Sequence, residues 1–378
     1  MKNRLLKLVI CPECGGDLSA VSYDSVGLLP PANCASASTE IMEGLLTCHK
    51  CRRAYPIIGG VPRLLPDDLR PTLWKYHSQF FQSHTDAKAA VFGEHEPDRD
   101  KFTKQRQETF SSFSFQRVEL TTPDLRFSKD WLALFAKRLR PHEPEYVSGK
   151  LGLDAGCGFG QHLYCAGSYG AEMVGLDLSE GVQRAFETTR NNPRIHVVQG
   201  DIYRMPFRTG EFDFAMSFGV LHHLPDPRSG FLSLSRAVRP GGDVLIWVYG
   251  YKGMRWTYRR SHFRTIRWFT RKQPHSIQYG MCAAIALILE VVLWWPSRIL
   301  GRFKWTRPMV DRLPAQNNRR QPFAMKVTAV FDRLATPVTH FHDREELMSW
   351  FGEAGFGDFN VFSEDRRGWQ GVGKKMPQ

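Results

Sequence analysis

The stretch "LDAGCGFG", residues 153–160, decides the fold of this 378-residue chain. It places Gly156, Gly158 and Gly160 directly after an apolar run that contains Asp154. Because glycine has no Cβ, such a loop lets the main chain come close to a ligand. The glycines are spaced G-x-G-x-G, whereas dinucleotide-binding loops have G-x-G-x-x-G. The stretch therefore predicts a ligand-binding loop after a strand, with no pyrophosphate to hold.

The sequence around this loop alternates between strand-like and helix-like segments over residues 150–250. Alternation of this kind predicts an α/β fold with a parallel, doubly wound sheet. Ligands bind to such sheets at the carboxyl ends of the strands, where the strand order reverses. The predicted strands are 150–156, 171–179, 194–201, 210–219 and 243–250.

Residues 150–250 resemble the class I S-adenosylmethionine-dependent methyltransferases. The loop that contains Asp154 is similar to motif I of that family. The segments "FDFAMSFGVLHHLPD" (212–226) and "RPGG" (239–242) are similar to later motifs of its ubiquinone/menaquinone-type branch, methyltransferase type 11. The resemblance implies a Rossmann-like sheet of seven strands, S-adenosyl-L-methionine as the cofactor and methyl transfer as the reaction. A nucleotide-sugar-binding or NAD-binding protein with the same fold is the alternative.

The resemblance also implies which residues contact the cofactor. Asp177, at the end of the second predicted strand, matches the acid that accepts hydrogen bonds from both ribose hydroxyls. Asp201 matches the residue at the adenine amino group, and Ile202 is expected against the ring. The aromatic-rich segment 108–116 is expected to cover the cofactor. The other implied cofactor contacts are Asp154, Gly156, Cys157, Gly158, Gly160, Leu178, Ser217 and Phe218.

Two adjacent histidines are candidates for the catalytic base. His222 and His223 follow the fourth predicted strand, and a histidine can accept a proton near neutral pH. The alternative is that one of them packs and the other orients a loop. His340 and His342, in "THFHDREEL", resemble a motif of the same branch and are expected near the substrate pocket.

Four cysteines near the N-terminus form two C-x-x-C pairs, Cys11 with Cys14 and Cys48 with Cys51. Two such pairs supply the four thiolates of a closed tetrahedral site, which predicts a structural zinc ion and no chemistry at the metal. The alternative is a pair of turns without metal that are redox-active. The tail "AYPIIGGVPRLLP" (54–66) resembles the zinc-ribbon family that includes the activator subunit of certain tRNA and protein methyltransferases. In that family the ribbon accompanies a methyltransferase, either as a partner chain or fused to it.

The formal net charge of +13 is concentrated in one segment. Residues 251–335 hold 17 Lys and Arg against 3 Asp and Glu, while residues 150–250 are nearly neutral. Residues 256–272 are predicted to form a basic amphipathic helix with Arg260, Arg264, Arg267 and Arg271 on one face. Such a helix suits an anionic membrane surface or a phosphate backbone, and a solvated lid helix is the alternative.

An apolar run of fifteen residues, 281–295, follows this basic helix. A membrane-spanning helix needs about 20 apolar residues, so the run is expected to be too short to span. We expect a helix that is buried in a substrate lid or seated in a membrane interface, with Trp294 and Trp295 at the boundary. A transmembrane helix is the remaining alternative.

The chain shows no secretory signal, so a cytoplasmic protein is expected. It is expected to be peripheral to the inner face of the membrane if the basic segment binds lipid. The first functional hypothesis is a methyltransferase that acts on oxygen or carbon of a small or lipid-linked metabolite. The alternatives are an rRNA or tRNA methyltransferase and a non-catalytic module that binds partners.

The sequence predicts five regions. The regions are 1–66 (zinc ribbon), 67–149 (helical linker), 150–250 (cofactor-binding core), 251–335 (insertion used as lid or membrane contact) and 336–378 (closing helix and hairpin).

Overall fold

A computed structural model describes residues 1–28, 38–93, 103–118, 129–250, 261–310, 321–363 and 368–377. Eleven strands form one sheet in the order β1-β2-β3-β4-β7-β6-β5-β8-β9-β11-β10. The strands are β1 (Leu18–Leu28), β2 (Ser38–Cys48), β3 (Ala54–Ile58), β4 (Val61–Leu64), β5 (Leu151–Ala155), β6 (Glu172–Asp177), β7 (Ile195–Gly200), β8 (Phe212–Phe218), β9 (Val238–Tyr249), β10 (Phe356–Phe362) and β11 (Gly368–Lys375).

Helices lie on both faces of the core sheet and continue into the linker and the insertion. They are α1 (Asn3–Leu6), α2 (Arg70–Ser83), α3 (Thr85–Phe92), α4 (Thr103–Val118), α5 (Lys129–Leu139), α6 (Gln161–Ser168), α7 (Gly181–Thr189), α8 (Pro227–Ala237), α9 (Ser261–Arg271), α10 (His275–Leu289), α11 (Trp295–Leu300), α12 (Arg307–Val310), α13 (Phe323–Leu334) and α14 (Arg344–Glu353).

The seven strands β7-β6-β5-β8-β9-β11-β10 form the predicted core sheet. Strands β5 to β9 pair in parallel, and β11 runs antiparallel to both β9 and β10. The α/β expectation and the closing hairpin are therefore confirmed. The strand order reverses beside β5, so its carboxyl end is the place where a ligand is expected. Strand β9 begins at Val238, ahead of the predicted start at 243, because Val238 pairs with Phe212.

The N-terminal ribbon is continuous with the core sheet. Strand β4 pairs in parallel with β7, with Arg63 opposite Gln199 and Leu64 opposite Gly200. The wholly buried guanidinium of Arg63 donates to Glu180 and Gln199, each at 3.1 Å. The ribbon therefore covers what would otherwise be a bare edge of the core sheet.

The insertion forms a helical layer that packs on the core through α13. Helix α10, a π-helical turn (Glu290–Trp294) and α11 run on as one helix, His275–Leu300, of 26 residues. By length and composition this helix could cross a membrane, and 17% of its most apolar stretch is buried. The expectation that the apolar segment is too short to span was wrong, because helical residues extend it at both ends. Residues 251–260 and 311–320 lie outside the described part.

The basic face predicted for residues 256–272 is only partly present. Arg260 lies outside the described residues, as does the side chain of Arg264. Arg267 turns toward the protein and donates to the carbonyl of Thr336 at 2.7 Å and to Thr339 Oγ1 at 3.1 Å. The prediction of one exposed arginine face was wrong at Arg267, because the end of α13 offers unpaired carbonyl groups. Exposed apolar side chains occupy much of the outer surface instead.

Candidate active site

A cavity lies at the carboxyl ends of the central strands, where the strand order reverses, and together with its open mouth it spans about 660 Å³. Helix α4, from the linker, closes it from above with Thr109, Phe110, Phe113 and Arg117. The aromatic segment 108–116 thus lies where the sequence predicted a cover. Five of the implied cofactor contacts line this cavity, namely Gly156, Asp177, Leu178, Asp201 and Ile202.

The glycine loop takes a course that side chains would block. Gly156 has φ +90°, and a Cβ there would lie 2.3 Å from Val220 Cγ2. Gly160 has φ +87°, and its Cβ would lie 3.1 Å from the Cα of Ala185 on α7. Both positions require glycine, since L side chains rarely adopt such φ values. The loop therefore exposes bare main chain to the cavity and lets α6 and α7 pack closely.

Asp177 holds the loop and faces the cavity. Its Oδ2 accepts a hydrogen bond from the Gly158 amide at 2.8 Å, and its Oδ1 accepts from the Ser179 amide at 2.8 Å. Oδ1 also accepts from Ser179 Oγ at 2.7 Å, so the second lone pair of Oδ2 is the one that remains for a ribose hydroxyl. The carboxylate is only partly exposed, which fits a residue that a ligand covers.

Asp201 is buried beneath α4. Arg106 of that helix donates to Asp201 Oδ2 at 3.3 Å and to Asp68 Oδ2 at 2.8 Å. Burial raises the pKa of the Asp201 carboxyl, and the guanidinium of Arg106 opposes this shift. Arg106 thus ties the cover to the floor of the cavity. Sequence reasoning missed Arg106, since nothing in its local pattern distinguishes it from a solvated arginine.

Several predicted cofactor contacts lie around the cavity and do not line it. Asp154 is buried, and burial together with the nearby Asp177 raises its pKa to about 8. Ser217 donates to the Ala155 carbonyl at 2.8 Å, and Phe218 packs edge-on against His162. These contacts shape the strand ends and the loop. The other predicted contacts that do not line the cavity are Cys157, Gly158 and Gly160.

The cavity fits S-adenosylmethionine by the chemistry of its donors. Asp177 and Asp201 would hold the ribose and the adenine, Ile202 supplies an apolar wall, and the glycine loop admits the amino-acid part. Arg117, whose guanidinium lies 5.2 Å from the Phe159 ring centroid, supplies a cation beside the loop for a carboxylate.

His223 is the histidine that lines the cavity. Its Nδ1 lies 2.9 Å from the Val338 carbonyl, which can only accept, so Nδ1 carries the proton and Nε2 has a free lone pair. Nε2 lies 3.9 Å from Asp332 Oδ1, and Tyr249 donates to Asp332 at 3.1 Å. Burial lowers the pKa of His223, while the carboxylate of Asp332 opposes the shift. The neutral ring can therefore accept a proton at Nε2.

His222 does not line the cavity. It is wholly buried, its ring stacks on Tyr249 at 3.8 Å between centroids, and neither ring nitrogen has a hydrogen-bond partner. Burial, with His223 and His342 nearby, holds the pKa of His222 well below its usual range. The structure thus places His222 as a packing residue, and His223 is the candidate base of the pair.

The other two predicted histidines lie behind this pair. The His340 amide donates to the His222 carbonyl at 2.8 Å, and His342 Nδ1 lies 3.1 Å from Glu346 Oε1. Neither lines the cavity. Sequence reasoning did not find Asp332, which is near His223 only because α13 of the insertion packs over the core.

The four cysteines of the ribbon meet as predicted. The Sγ atoms of Cys11 and Cys51 are 3.6 Å apart and those of Cys14 and Cys48 are 3.5 Å apart. All four Sγ atoms lie within 4.8 Å of one another. Thiolates around one zinc ion at about 2.3 Å lie about 3.8 Å apart, so the donor set fits structural zinc. With four protein ligands, such an ion has no open position for chemistry.

Comparisons with known proteins agree with both domains. Residues 153–246 match the family described as "Methyltransferase domain", and residues 2–60 match the family described as "Trm112p-like protein". A complex of the Haloferax volcanii Trm112 methyltransferase activator with a putative methyltransferase has a TM-score of 0.39 at 14% identity, over 72% of this chain and 97% of that chain.

Curated relatives match shorter stretches. An uncharacterized Synechococcus protein is 38% identical over 228 residues, 58% of this chain and 49% of that protein. A tRNA U34 carboxymethyltransferase of Pseudoalteromonas atlantica is 32% identical over 131 residues, 32% of this chain and 38% of that enzyme. The chain thus spans half or less of the length of these relatives. On the family matches, the glycine loop and the cysteine cluster, the chain joins a Trm112-like zinc ribbon to an S-adenosylmethionine-dependent methyltransferase domain of class I.

Proposed function

We propose that the protein methylates oxygen or carbon of a small or lipid-linked metabolite, with His223 as the proton acceptor. The observation that carries this proposal is the position of His223. Its ring lines the cavity, and its Nδ1–H is anchored on the Val338 carbonyl at 2.9 Å. This anchor fixes the tautomer and leaves Nε2 as the basic nitrogen.

The residues around His223 would support proton transfer. When bound, S-adenosylmethionine supplies an electrophilic methyl group on a sulfonium sulfur. Nε2 of His223 accepts the proton that a hydroxyl or an activated carbon of the acceptor loses. The Asp332 carboxylate, 3.9 Å from Nε2, stabilises the imidazolium that forms. Helix α4 covers the cavity and excludes water from the acceptor.

The walls near His223 favour an acceptor that is partly apolar. Phe113, Val220 and Leu224 line this end of the cavity, and the Phe113 ring lies 5.4 Å from the His223 ring. Among the described lining residues, Arg117 is the one lysine or arginine, and it lies beside the glycine loop. Such walls suit a metabolite with an apolar body better than a polyphosphate strand.

A tRNA acceptor is the second candidate function. Relatives named tRNA U34 carboxymethyltransferase match about a third of this chain, and the insertion is strongly basic. However, Arg267 is turned inward, and Arg298 and Lys326 are paired with Glu290. These three cations are engaged within the protein, whereas Arg271, Lys272 and Lys304 of the same insertion remain exposed.

A labelled-methyl assay separates the candidates. The full-length, zinc-loaded protein is incubated with S-adenosylmethionine that carries a labelled methyl group, and with either total tRNA or an organic extract of cells. We expect label in the organic extract, and a loss of about 100-fold or more in His223→Gln, the size usual for a general base. The matched control is His49→Gln, on the exposed surface of the ribbon.

Other outcomes would change the assignment. Label in tRNA alone would contradict the metabolite proposal and support the second candidate. Full activity of His223→Gln would exclude its role as the base. A protein that binds the cofactor and labels neither fraction would support the non-catalytic alternative.

A further inference from the structure

We infer that the outer face of helices α9 to α11 docks onto the surface of an anionic membrane, with the long helix in the plane of the interface. Exposed large apolar side chains are concentrated here. Of the twenty such side chains in the described part of the chain, sixteen lie between residues 266 and 323. The surface of a soluble monomeric protein rarely exposes so many apolar side chains together.

The long helix has two distinct faces. Its inner face, with Cys282 and Ala286, packs on Val327, Val330 and Phe331 of α13. Its outer face exposes apolar residues at helical spacing, and Val292 is 70% exposed. The outer residues are Ile277, Leu287, Ile288, Val291, Val292, Trp295 and Ile299. One face is therefore covered by the protein, while a continuous apolar stripe remains uncovered.

These two faces favour an in-plane orientation over a spanning one. Buried residues run from Gln278 to Ser297, so the protein covers the inner face along nearly the whole helix. A spanning helix of about 39 Å would have to leave α13, because a bilayer core would surround it on all sides. Separation from α13 would also expose Val327, Val330 and Phe331, which now pack against the long helix. In-plane seating buries the apolar stripe and leaves these contacts intact.

Charge on this surface matches an anionic bilayer. Glu290, the one acid within residues 261–310, pairs with Lys326 and Arg298. Lys326 is buried, so this ion pair lies toward the protein. The outer face therefore has no unpaired acid to repel anionic lipid in its described part.

Cationic and tryptophan side chains lie at both ends of the apolar stripe. At one end Lys272 Nζ lies 3.7 Å from the Trp268 ring centroid, next to exposed Arg271. At the other end exposed Lys304 adjoins Trp305, which is 81% exposed. Tryptophan favours the headgroup level of a bilayer, and lysine and arginine attract anionic headgroups. This arrangement favours a lipid surface, and not a groove on another protein, as the binding partner of the outer face.

An open cleft of about 1020 Å³ adjoins the same surface. Helices α4, α9 and α10 form it, and Lys104, Arg271, Lys272 and His275 contribute to its lining. Because α4 also covers the catalytic cavity, the proposed membrane surface and the cavity share one helix. If the proposed function holds, a lipid-linked acceptor at the membrane would approach the cavity from the side of α4.

The test is vesicle flotation of the full-length, zinc-loaded protein without detergent. The vesicles consist of phosphatidylcholine, with or without phosphatidylglycerol. We expect the protein to float with the anionic vesicles, and the double variant that combines Ile288→Glu with Val292→Glu to bind them at least about tenfold more weakly. A second double variant, Arg271→Glu with Lys272→Glu, should weaken binding to anionic vesicles by at least about fivefold. The matched control is Val21→Glu, a similarly exposed valine on the ribbon, which should float as the parent does.

Two measurements keep this test independent of folding and of catalysis. Binding of S-adenosylmethionine by each variant shows that the core is intact, and it separates loss of docking from loss of the proposed function. Alkaline carbonate should release the parent from vesicles, as expected of an in-plane helix. If the parent stays at the bottom of the gradient while the anionic vesicles float, the proposed docking surface is wrong. Flotation of the Ile288 and Val292 double variant to the same extent as the parent would also contradict it. Resistance to carbonate would overturn the in-plane orientation.

Discussion

Arg63 of the zinc ribbon donates a hydrogen bond to Glu180 of the core at 3.1 Å, and both side chains are almost fully buried. His77 of α2 contacts the same carboxylate at 2.9 Å. The ribbon, the linker and the core thus meet at one buried charge. Because Glu180 immediately precedes α7, which packs on the glycine loop, the ribbon also supports the cofactor site.

Removal of Arg63 should destabilise the whole protein. Arg63→Met leaves Glu180 buried without its cationic partner, which costs about 3–5 kcal/mol for a buried pair. Denaturant unfolding monitored by tryptophan fluorescence measures this loss. The control Arg239→Met breaks an exposed pair with Asp213 and should cost less than about 1 kcal/mol. Equal losses of stability in the two variants would contradict the role of this buried contact in joining the ribbon to the core.

Zinc should be present at one ion per chain and should stabilise the ribbon. Cys14→Ser should lose the ion and lower the melting temperature, because the site contributes to folding. Elemental analysis and thermal unfolding measure the two effects. Cys282→Ala, in the insertion, should retain the ion. A full complement of zinc in Cys14→Ser would refute the four-thiolate site.

Asp177→Asn should weaken binding of S-adenosylmethionine. A carboxylate that accepts ligand hydrogen bonds contributes about 1.5–3 kcal/mol, so the affinity should fall roughly 10- to 100-fold. Titration calorimetry measures this, with Asp213→Asn at the other end of the sheet as the control. Unchanged affinity in Asp177→Asn, or tight binding of NAD by the parent, would argue against the assigned cofactor.

His222 should make stability depend on pH. Its pKa is lowered in the folded state, whereas the unfolded value is about 6.5, so the unfolded chain binds more protons at acidic pH. Stability should therefore be greatest above pH about 6.5 and fall as the pH drops below it. In His222→Phe the loss of stability between neutral and acidic pH should be smaller than in the parent. Urea unfolding at several pH values measures this, and an unchanged pH dependence would exclude the effect.

Asp332 should position and stabilise His223 during the reaction. Its carboxylate raises the pKa of His223 against the effect of burial, so Asp332→Asn should lower that pKa further. The acidic limb of the profile of kcat/KM against pH should then move to lower pH, and the plateau should fall several-fold. A loss of activity with no shift of that limb would indicate a purely structural role for Asp332.

The core could be read from sequence because its signals are local. The glycine loop, the strand ends at Asp177 and Asp201 and the two C-x-x-C pairs are each contained in a few residues, and the structure brings them where their spacing predicts. Main-chain geometry explains this, since a positive φ at Gly156 and thiolates three positions apart leave few alternatives.

The contacts made by the insertion could not be read in the same way. Asp332 approaches His223 from a sequence separation of more than one hundred residues, and Arg106 reaches Asp201 across a similar gap. Arg267 matched a basic amphipathic pattern, but it turns inward because carbonyl groups at the end of α13 accept its hydrogen bonds. Only tertiary packing decides such contacts, and helical periodicity does not report it.

Because β4 pairs with β7 within one chain, the zinc ribbon and the methyltransferase domain are present in a one-to-one ratio. When a zinc ribbon and a methyltransferase domain are separate chains, the fraction of the domain whose sheet edge is covered depends on how much ribbon the cell makes. Here the two components are translated together, so every copy of the methyltransferase domain carries its own strand on that side. Dilution, which dissociates a two-chain assembly, leaves this arrangement unaffected.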